Sequence, residues 1–304
     1  MTTPASRPCL LCGSTDTVVA GPILHHRPTH VAGVELDLGD TRFVLRRCLG
    51  CEFQFKDPPI ETEKLMACYA AADSANWELD PDPWQRQFDI LGELLAAHVR
   101  GRRVLDVGCF NGALLAYLGD GWQRFGVEPS REAAGLAHER GVHVLAATLD
   151  ELPSDTIPFD AILAIDVVEH LVEPLPFFRA VRERLADRGI FLILTGNTDA
   201  LAWRFQGSMY WYGNLPEHVS FYNRGSLERI GKEVGFEVAD FRTLGHKRLS
   251  SLWHLSDMAK SAAYIAGRRL GGLGLAPLRR VFVERRGPTI QSAKDHLVCV
   301  MRAV

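Results

Sequence analysis

Four carboxylates stand at or near the ends of apolar runs in this chain. Asp106 lies in RRVLDVG, Glu128 closes RFGVE, and Asp166 closes FDAILAID with Glu169 three residues on. If these runs are neighbouring parallel strands, the four acids crowd one edge of a sheet. Charges paired in a partly dry site interact by several kcal/mol in upper-bound terms. Such an edge repels a pyrophosphate and welcomes a cation. The turn VLDVGCFNG (Val104–Gly112) points the same way. A dinucleotide fingerprint, G-x-G-x-x-G, uses its glycines for the turn, the phosphate approach and helix packing. Here the spacing is Gly108-x-x-x-Gly112, with Phe110 between.

S-adenosylmethionine is a ligand of the required kind, with a sulfonium, an α-ammonium and no phosphate. A glycine turn lets its amino-acid part approach the backbone. Glu128, 20 residues after Gly108, is placed to accept hydrogen bonds from both ribose hydroxyls, as the acidic residue of nucleotide folds does. Methyl transfer is an in-line displacement in which positioning supplies most of the rate. A weak oxygen or carbon nucleophile also needs a base. The stretch YWYGNLPEHVSFYN (Tyr210–Asn223) carries His218 beside Glu217, and histidine titrates near neutrality. The same stretch also reads as a loop organiser ahead of a helix over Asn223–Gly235. Asp166-x-x-Glu169-His170 offers three hard or borderline ligands on one turn, with His218 as a fourth, for a divalent ion that polarises a substrate hydroxyl. The plainer alternative is that Glu169-His170 opens the next helix, where a glutamate is favourable.

A separate chemistry is written into the cysteines. Four of the seven form two equally spaced pairs, Cys9-Cys12 in CLLC and Cys48-Cys51 in CLGC. In a reducing compartment this pattern is metal-binding rather than disulfide. Each C-x-x-C brings two thiolates to one ion from a tight turn, and Gly13 and Gly50 suit such turns. Four thiolates close a tetrahedral zinc site with no open position, so the expected zinc is structural. Cys68, Cys109 and Cys299 read as ordinary small apolar residues.

These residues need a scaffold. Residues 1–57 read as a zinc-held β module, with strands over Thr15–Ala20 and Phe43–Cys48. Residues 58–100 read as a helical connector, with helices over Glu61–Ala72 and Trp84–Val99. From 101 to 304, strands alternate with helices. Expected strands cover residues 102–108, 124–129, 142–147, 159–166, 189–196, 236–244 and 296–304. Expected helices cover Ala113–Leu118, Arg131–Arg140 and Pro174–Ala186. Strands that are almost continuously apolar belong to a sheet covered on both faces. The fold class is therefore α/β, a doubly wound, mostly parallel, seven-stranded sheet whose ligand sits at the strands' C-terminal ends. A basic helical insertion at about 246–290 interrupts it. Ten lysines and arginines fall between Arg242 and Arg286 against Asp257 and Glu284. It reads as a solvated helical pair, a lid, or a face for an anionic substrate or a membrane surface.

The bulk numbers narrow the class. A formal net charge of −3 over 304 residues gives no hint of a nucleic-acid binder. The start, MTTPASRPCLLCG, has no apolar h-region, and no run approaches the ~18 apolar residues of a membrane span. A cytoplasmic setting with reduced thiols is expected. Two competing classes remain. A nicotinamide oxidoreductase is opposed by the carboxylates and the missing fingerprint. A zinc-ribbon binding protein with a degenerate catalytic domain would grip its partner with the cysteine module and the basic segment.

VLDVGCFNG, GVEPS and FDAILAIDVVEHL resemble the three leading motifs of class I S-adenosylmethionine-dependent methyltransferases. The last strand, after a helical segment, is similar to that family's closing antiparallel hairpin. The resemblance implies that Asp106, Gly108 and Gly112 contact the methionine part and Glu128 the ribose. It implies that Thr148 and Leu149 border the adenine and that Asp166 lines the cofactor site. Phe110 stands where the family often has glycine, and Thr148 where an acid is common. The cysteine pairs resemble the module that precedes the same domain in nucleotide-sugar C-methyltransferases. In those enzymes a similar Glu-His pair looks equivalent to Glu217-His218, with the histidine as base. The Asp166–His170 spacing resembles the metal ligands of ubiquinone O-methyltransferases and small-RNA 2′-O-methyltransferases. The implied acceptor is a hydroxylated small molecule: a sugar, free or nucleotide-linked, or a secondary-metabolite intermediate.

Overall fold

The computed structural model describes residues 7–25, 28–72, 81–245, 251–273 and 294–304. The N-terminal part forms β1 (Thr17–Pro22), β2 (His30–Val31), β3 (Val34–Glu35), β4 (Val44–Cys48) and β5 (Gln54–Asp57), then α1 (Thr62–Ala70) and α2 (Pro81–His98). Strands and helices then alternate as β6 (Arg103–Val107), α3 (Ala113–Leu118), β7 (Gln123–Val127), α4 (Arg131–Glu139), β8 (His143–Ala146), β9 (Phe159–Ile165), α5 (Pro174–Arg184) and β10 (Leu185–Gly196). The remainder supplies α6 (Leu201–Gln206), β11 (Ser220–Phe221), α7 (Arg224–Val234), β12 (Phe236–Leu244), α8 (Ser251–Gly272) and β13 (His296–Ala303).

Seven strands form one sheet in the order β12-β13-β10-β9-β6-β7-β8. The five from β10 to β8 run parallel, and β13 runs antiparallel to both β10 and β12. This is the doubly wound sheet expected from the apolar runs. The chain winds outward from β6 through β7 to β8, then returns to lay β9 on the other side of β6. A ligand crevice opens at such a switch point, outside the strands' C-terminal ends.

The period of two along each strand divides the core into two layers. Leu105, Ile162, Phe191, Ile193 and Leu297 meet α5 and α7 on one face. Val104, Leu163, Ile190, Leu192 and Val298 meet α2, α3 and α4 on the other. Local signals set the helix ends. Ser130 caps α4 by accepting the Ala133 N–H, and Pro174 begins α5. Asn223 and Ser226 form a reciprocal capping box on α7, which ends at Gly235 in the left-handed region.

The N-terminal sheet has the order β1-β4-β5-β11. Its last strand comes from far along the chain, within the Tyr210–Asn223 stretch. The Lys56 N–H bonds Val219 O at 2.9 Å, and its buried ammonium donates to the carbonyls of Leu215 and Pro216. Cys9, Cys48, Cys51, Phe53 and Phe55 share one core cluster with Tyr222 and Leu227. Of the basic segment, α8 is described, and residues 246–250 and 274–293 lie outside the described residues. Among the described residues no helix is long and apolar enough to cross a membrane.

Candidate active site

The turn after β6 is pinned from below, because Val127 O accepts the N–H groups of Gly108 and Cys109. Gly108 takes φ +70° and Gly112 takes φ +74°. A Cβ on Gly112 would lie 2.9 Å from Val142 Cγ2 and 3.0 Å from Ala137 Cα. That glycine therefore lets α4 pack close. Phe110 adopts φ +47°, a conformation costly for a residue with a Cβ. Glu128 holds it there: its Oε2 accepts the Phe110 N–H at 2.8 Å and its Oε1 the Ser130 N–H at 2.9 Å. Burial raises the Glu128 carboxyl above the usual range despite these two bonds.

Asp106 is 4% exposed. Its Oδ1 is buried without a hydrogen-bond partner among the described residues. Burial, then the neighbouring Glu128 charge, push it up to about 8. Thr148 precedes a short 3-10 turn and is half-buried, while Leu149 is buried in the core beside Leu105 and Val127. Glu151 is engaged with the Ala147 N–H.

Across the switch point, Asp166 follows β9 with φ +52°. Its Oδ1 is also buried and has no hydrogen-bond partner among the described residues. Burial and Glu169 raise it to about 7, against the pull of His296. Glu169 is fully buried and accepts from Thr195 Oγ1 at 2.8 Å and from the Tyr212 hydroxyl at 2.5 Å. The Tyr212 hydroxyl in turn accepts the Gly196 N–H. Burial and Glu169 keep that phenol protonated.

His218 is buried, with its ring centroid 4.1 Å from Tyr212 and 4.9 Å from His170. Its Nδ1 lies 3.1 Å from Tyr212 O. A carbonyl only accepts, so Nδ1 carries the proton and Nε2 keeps its lone pair. Burial, then His170 and Lys56, hold this imidazole well below its usual range, so it is neutral. Glu217 does not form a dyad with it. The Glu217 carbonyl approaches His170 Nδ1 at 3.2 Å, where the Tyr69 hydroxyl also bonds at 2.7 Å. The Glu217 Oε2 is buried without a hydrogen-bond partner among the described residues.

Glu169, His170 and His218 bring ligand atoms within 4.8 Å of one another. Asp166 is not one of this group. Its carboxylate still feels the Glu169 charge.

The four paired cysteines converge. Cys9 Sγ lies 3.7 Å from Cys51 Sγ, and Cys12 Sγ lies 3.7 Å from Cys48 Sγ. A tetrahedron with metal–sulfur bonds of ~2.3 Å has edges of ~3.8 Å. The pairing crosses between the two C-x-x-C turns, which are built alike. Gly13 N donates to Cys9 O, and Glu52 N to Cys48 O. Each turn places the residue after its second cysteine in the left-handed region, Gly13 at φ +69° and Glu52 at φ +61°. The second turn thus uses Glu52 where Gly50 was expected.

Sequence reasoning missed several site residues. Lys56 and Tyr69 come from β5 and α1. Asp295 immediately precedes β13 and His296 opens it; both are almost fully buried, with His296 Nδ1 3.0 Å from Asp295 Oδ1. Against burial, Asp295 raises the His296 imidazole, and Asp166 and Glu169 add to the effect. In sequence these two merely open an apolar run. Only the pairing of His296 with Gly196 on β10 puts them at the crevice.

The family model of a methyltransferase domain matches residues 83–240, just over half of the chain. The chain is 28% identical over 183 residues to the ubiquinone biosynthesis O-methyltransferase of Dinoroseobacter shibae, covering 55% of this chain and 72% of that protein. It is 25% identical over 188 residues to the protein of the same name from Chromobacterium violaceum, covering 57% and 81%. Among solved structures, a chain in the complex of the Haloferax volcanii Trm112 methyltransferase activator with a methyltransferase matches with TM-score 0.50 and 16% identity. It covers 76% of this chain and 97% of that one, and speaks to the fold alone. With the sheet order and the three motifs in place, the chain belongs to the methyltransferase-domain family and is a class I S-adenosylmethionine-dependent methyltransferase.

Proposed function

We propose that this chain methylates an oxygen or a carbon of a hydroxylated small molecule, a sugar or a secondary-metabolite intermediate, with His218 as general base. The observation that carries the reading is the pair of buried, unpartnered carboxylate oxygens, Asp106 Oδ1 and Asp166 Oδ1, at the ends of adjacent strands. Buried charges without partners are costly, and a cationic cofactor relieves that cost. In this reading Asp106, Gly108 and Gly112 hold the methionine part and Asp166 lines the same site. Glu128 receives the ribose hydroxyls, and Thr148 and Leu149 border the adenine. S-adenosylmethionine, when bound, supplies an electrophilic methyl group. The neutral His218 takes the acceptor's hydroxyl proton at Nε2, and Tyr212 O fixes its tautomer. Glu217 acts on the acceptor side through its unpartnered Oε2. The relatives named O-methyltransferases favour oxygen as the methylated atom.

The same reading divides the chain into a module at 1–57, a connector at 58–100 and a transfer domain at 101–304 with the basic insertion at about 246–290. The module holds a structural zinc on Cys9, Cys12, Cys48 and Cys51, in a reducing compartment. The two 3.7 Å sulfur–sulfur edges support it.

A second reading places a divalent ion on Glu169, His170 and His218, supported by their 4.8 Å grouping. The two readings exclude each other, because His218 has only Nε2 left to use. The test is His218→Ala, assayed by S-adenosylhomocysteine release with panels of phenolic and sugar acceptors. Under the base reading, transfer slows by roughly 10²–10⁴ while S-adenosylhomocysteine affinity holds and chelators change nothing. Full activity in the variant refutes the base. Loss of transfer on chelation in the unaltered protein favours the ion.

A further inference from the structure

Among the described side chains of α8, Tyr264, Gly267 and Gly271 are buried, and the helix has α6 among its neighbours. Another face is apolar and exposed. Leu252, Leu255, Leu270 and Leu273 are 78%, 63%, 45% and 81% exposed. Between them Ala259, Ala262, Ala263 and Ala266 are exposed as well. At about 100° per residue, all eight fall within an arc of about 100°. Their order is a palindrome about the midpoint of 262 and 263. Leu252 mirrors Leu273, Leu255 mirrors Leu270, Ala259 mirrors Ala266 and Ala262 mirrors Ala263. Both the spacing and the side-chain size read the same in either direction.

A stripe of that kind is complementary to itself across a two-fold axis through its midpoint. An isologous contact demands this, since residue i must meet j while j meets i. We propose that a second copy of this chain covers the stripe, with the two α8 helices packed antiparallel and crossing at Ala262 and Ala263. Small residues at the crossing let the axes approach to the short end of the 8–10 Å range. The leucines fill the wider gaps where the helices diverge. The charges agree. Arg269 flanks the stripe, and the symmetry sets it beside the position of Ser256. The two copies of Arg269 then lie about 20 Å apart along the axes. A contact along about 30 Å of helix buries on the order of 1,000 Å² in total, the lower bound for a specific interface.

The test is the mass of the full-length protein in solution, by light scattering or sedimentation at roughly 10–50 μM. A dimer is expected. Leu255→Arg, at a position already exposed, yields a monomer that binds S-adenosylhomocysteine as before. Ala262→Cys, beside the axis, gives a covalent dimer on mild oxidation. Ser256→Cys, about 20 Å from its mate, and the unaltered protein do not. A monomeric unaltered protein overturns the proposal, and so does a dimer that survives Leu255→Arg. A monomer that binds phosphatidylglycerol vesicles, and loses them with Leu255→Arg, reassigns the face to a lipid surface.

Discussion

Glu128→Ala tests the cofactor site at the residue that does two things at once. Each of its carboxylate oxygens already accepts a backbone N–H, at 2.8 Å and 2.9 Å. Each keeps a lone pair for a ribose hydroxyl. Losing a charged acceptor costs about 1.5–3 kcal/mol of affinity. The second share is conformational. Phe110 sits at φ +47°, which costs a residue with a Cβ about 1–2 kcal/mol. The Glu128 bond to the Phe110 N–H offsets that strain. Without it the turn relaxes and must be re-formed when the ligand binds. Together the shares centre near 3–4 kcal/mol, a Kd raised roughly 10²- to 10³-fold. The assay is calorimetric titration with S-adenosylhomocysteine, with NADH as a parallel ligand that should not bind. Adding Phe110→Gly removes the strain and should recover the conformational share alone. A Kd within about three-fold of the unaltered protein, with folding intact, refutes both the ribose contact and the role of Glu128 in the turn.

Asp106 makes binding depend on pH. Its folded carboxyl lies at about 8, above its unfolded value, so folding retains a proton through the window between them. Stability of the ligand-free protein therefore falls as pH rises from about 4 to about 8. The ligand's α-ammonium needs the ionised form as its partner, so S-adenosylhomocysteine affinity should rise between pH 6 and 8 with proton release, seen as a buffer-dependent heat. Asp106→Asn should abolish that slope, and a slope that persists assigns it elsewhere. Metal analysis should find about one zinc per chain, lost in Cys9→Ser with Cys48→Ser; equal zinc in that double variant refutes the site. Lys56→Met removes the donor to two buried loop carbonyls and should cost about 2–4 kcal/mol. Thermal melting checks it, and an unchanged midpoint means those carbonyls find other donors.

The sheet was legible because its central strands bury both faces and so are apolar almost throughout. That is why β6 and β9 fall where the apolar runs predict. The acid-lined edge was legible for a related reason. Asp106, Gly108, Gly112 and Glu128 sit at strand ends and in a turn set by local chain geometry. So was the convergence of the four cysteines, whose two pairs needed only their spacing. The surroundings of His218 were not. Glu217 and His218 are adjacent in sequence, yet a loop residue's side chain takes its direction from what surrounds it. Here the Tyr212 carbonyl claims His218, while Glu217 meets His170 only through its backbone carbonyl. Asp166 likewise interacts with Glu169 by charge but stays outside the group of Glu169, His170 and His218. Lys56, Tyr69, Asp295 and His296 reach the crevice from β5, α1 and the edge of β13. Strand order and long-range pairing alone bring them there, because hydrogen bonds between distant segments leave no period in the sequence. The amino-acid sequence by itself determined the acid-lined edge and glycine turn of the sheet; tertiary packing decided which groups gather around His218.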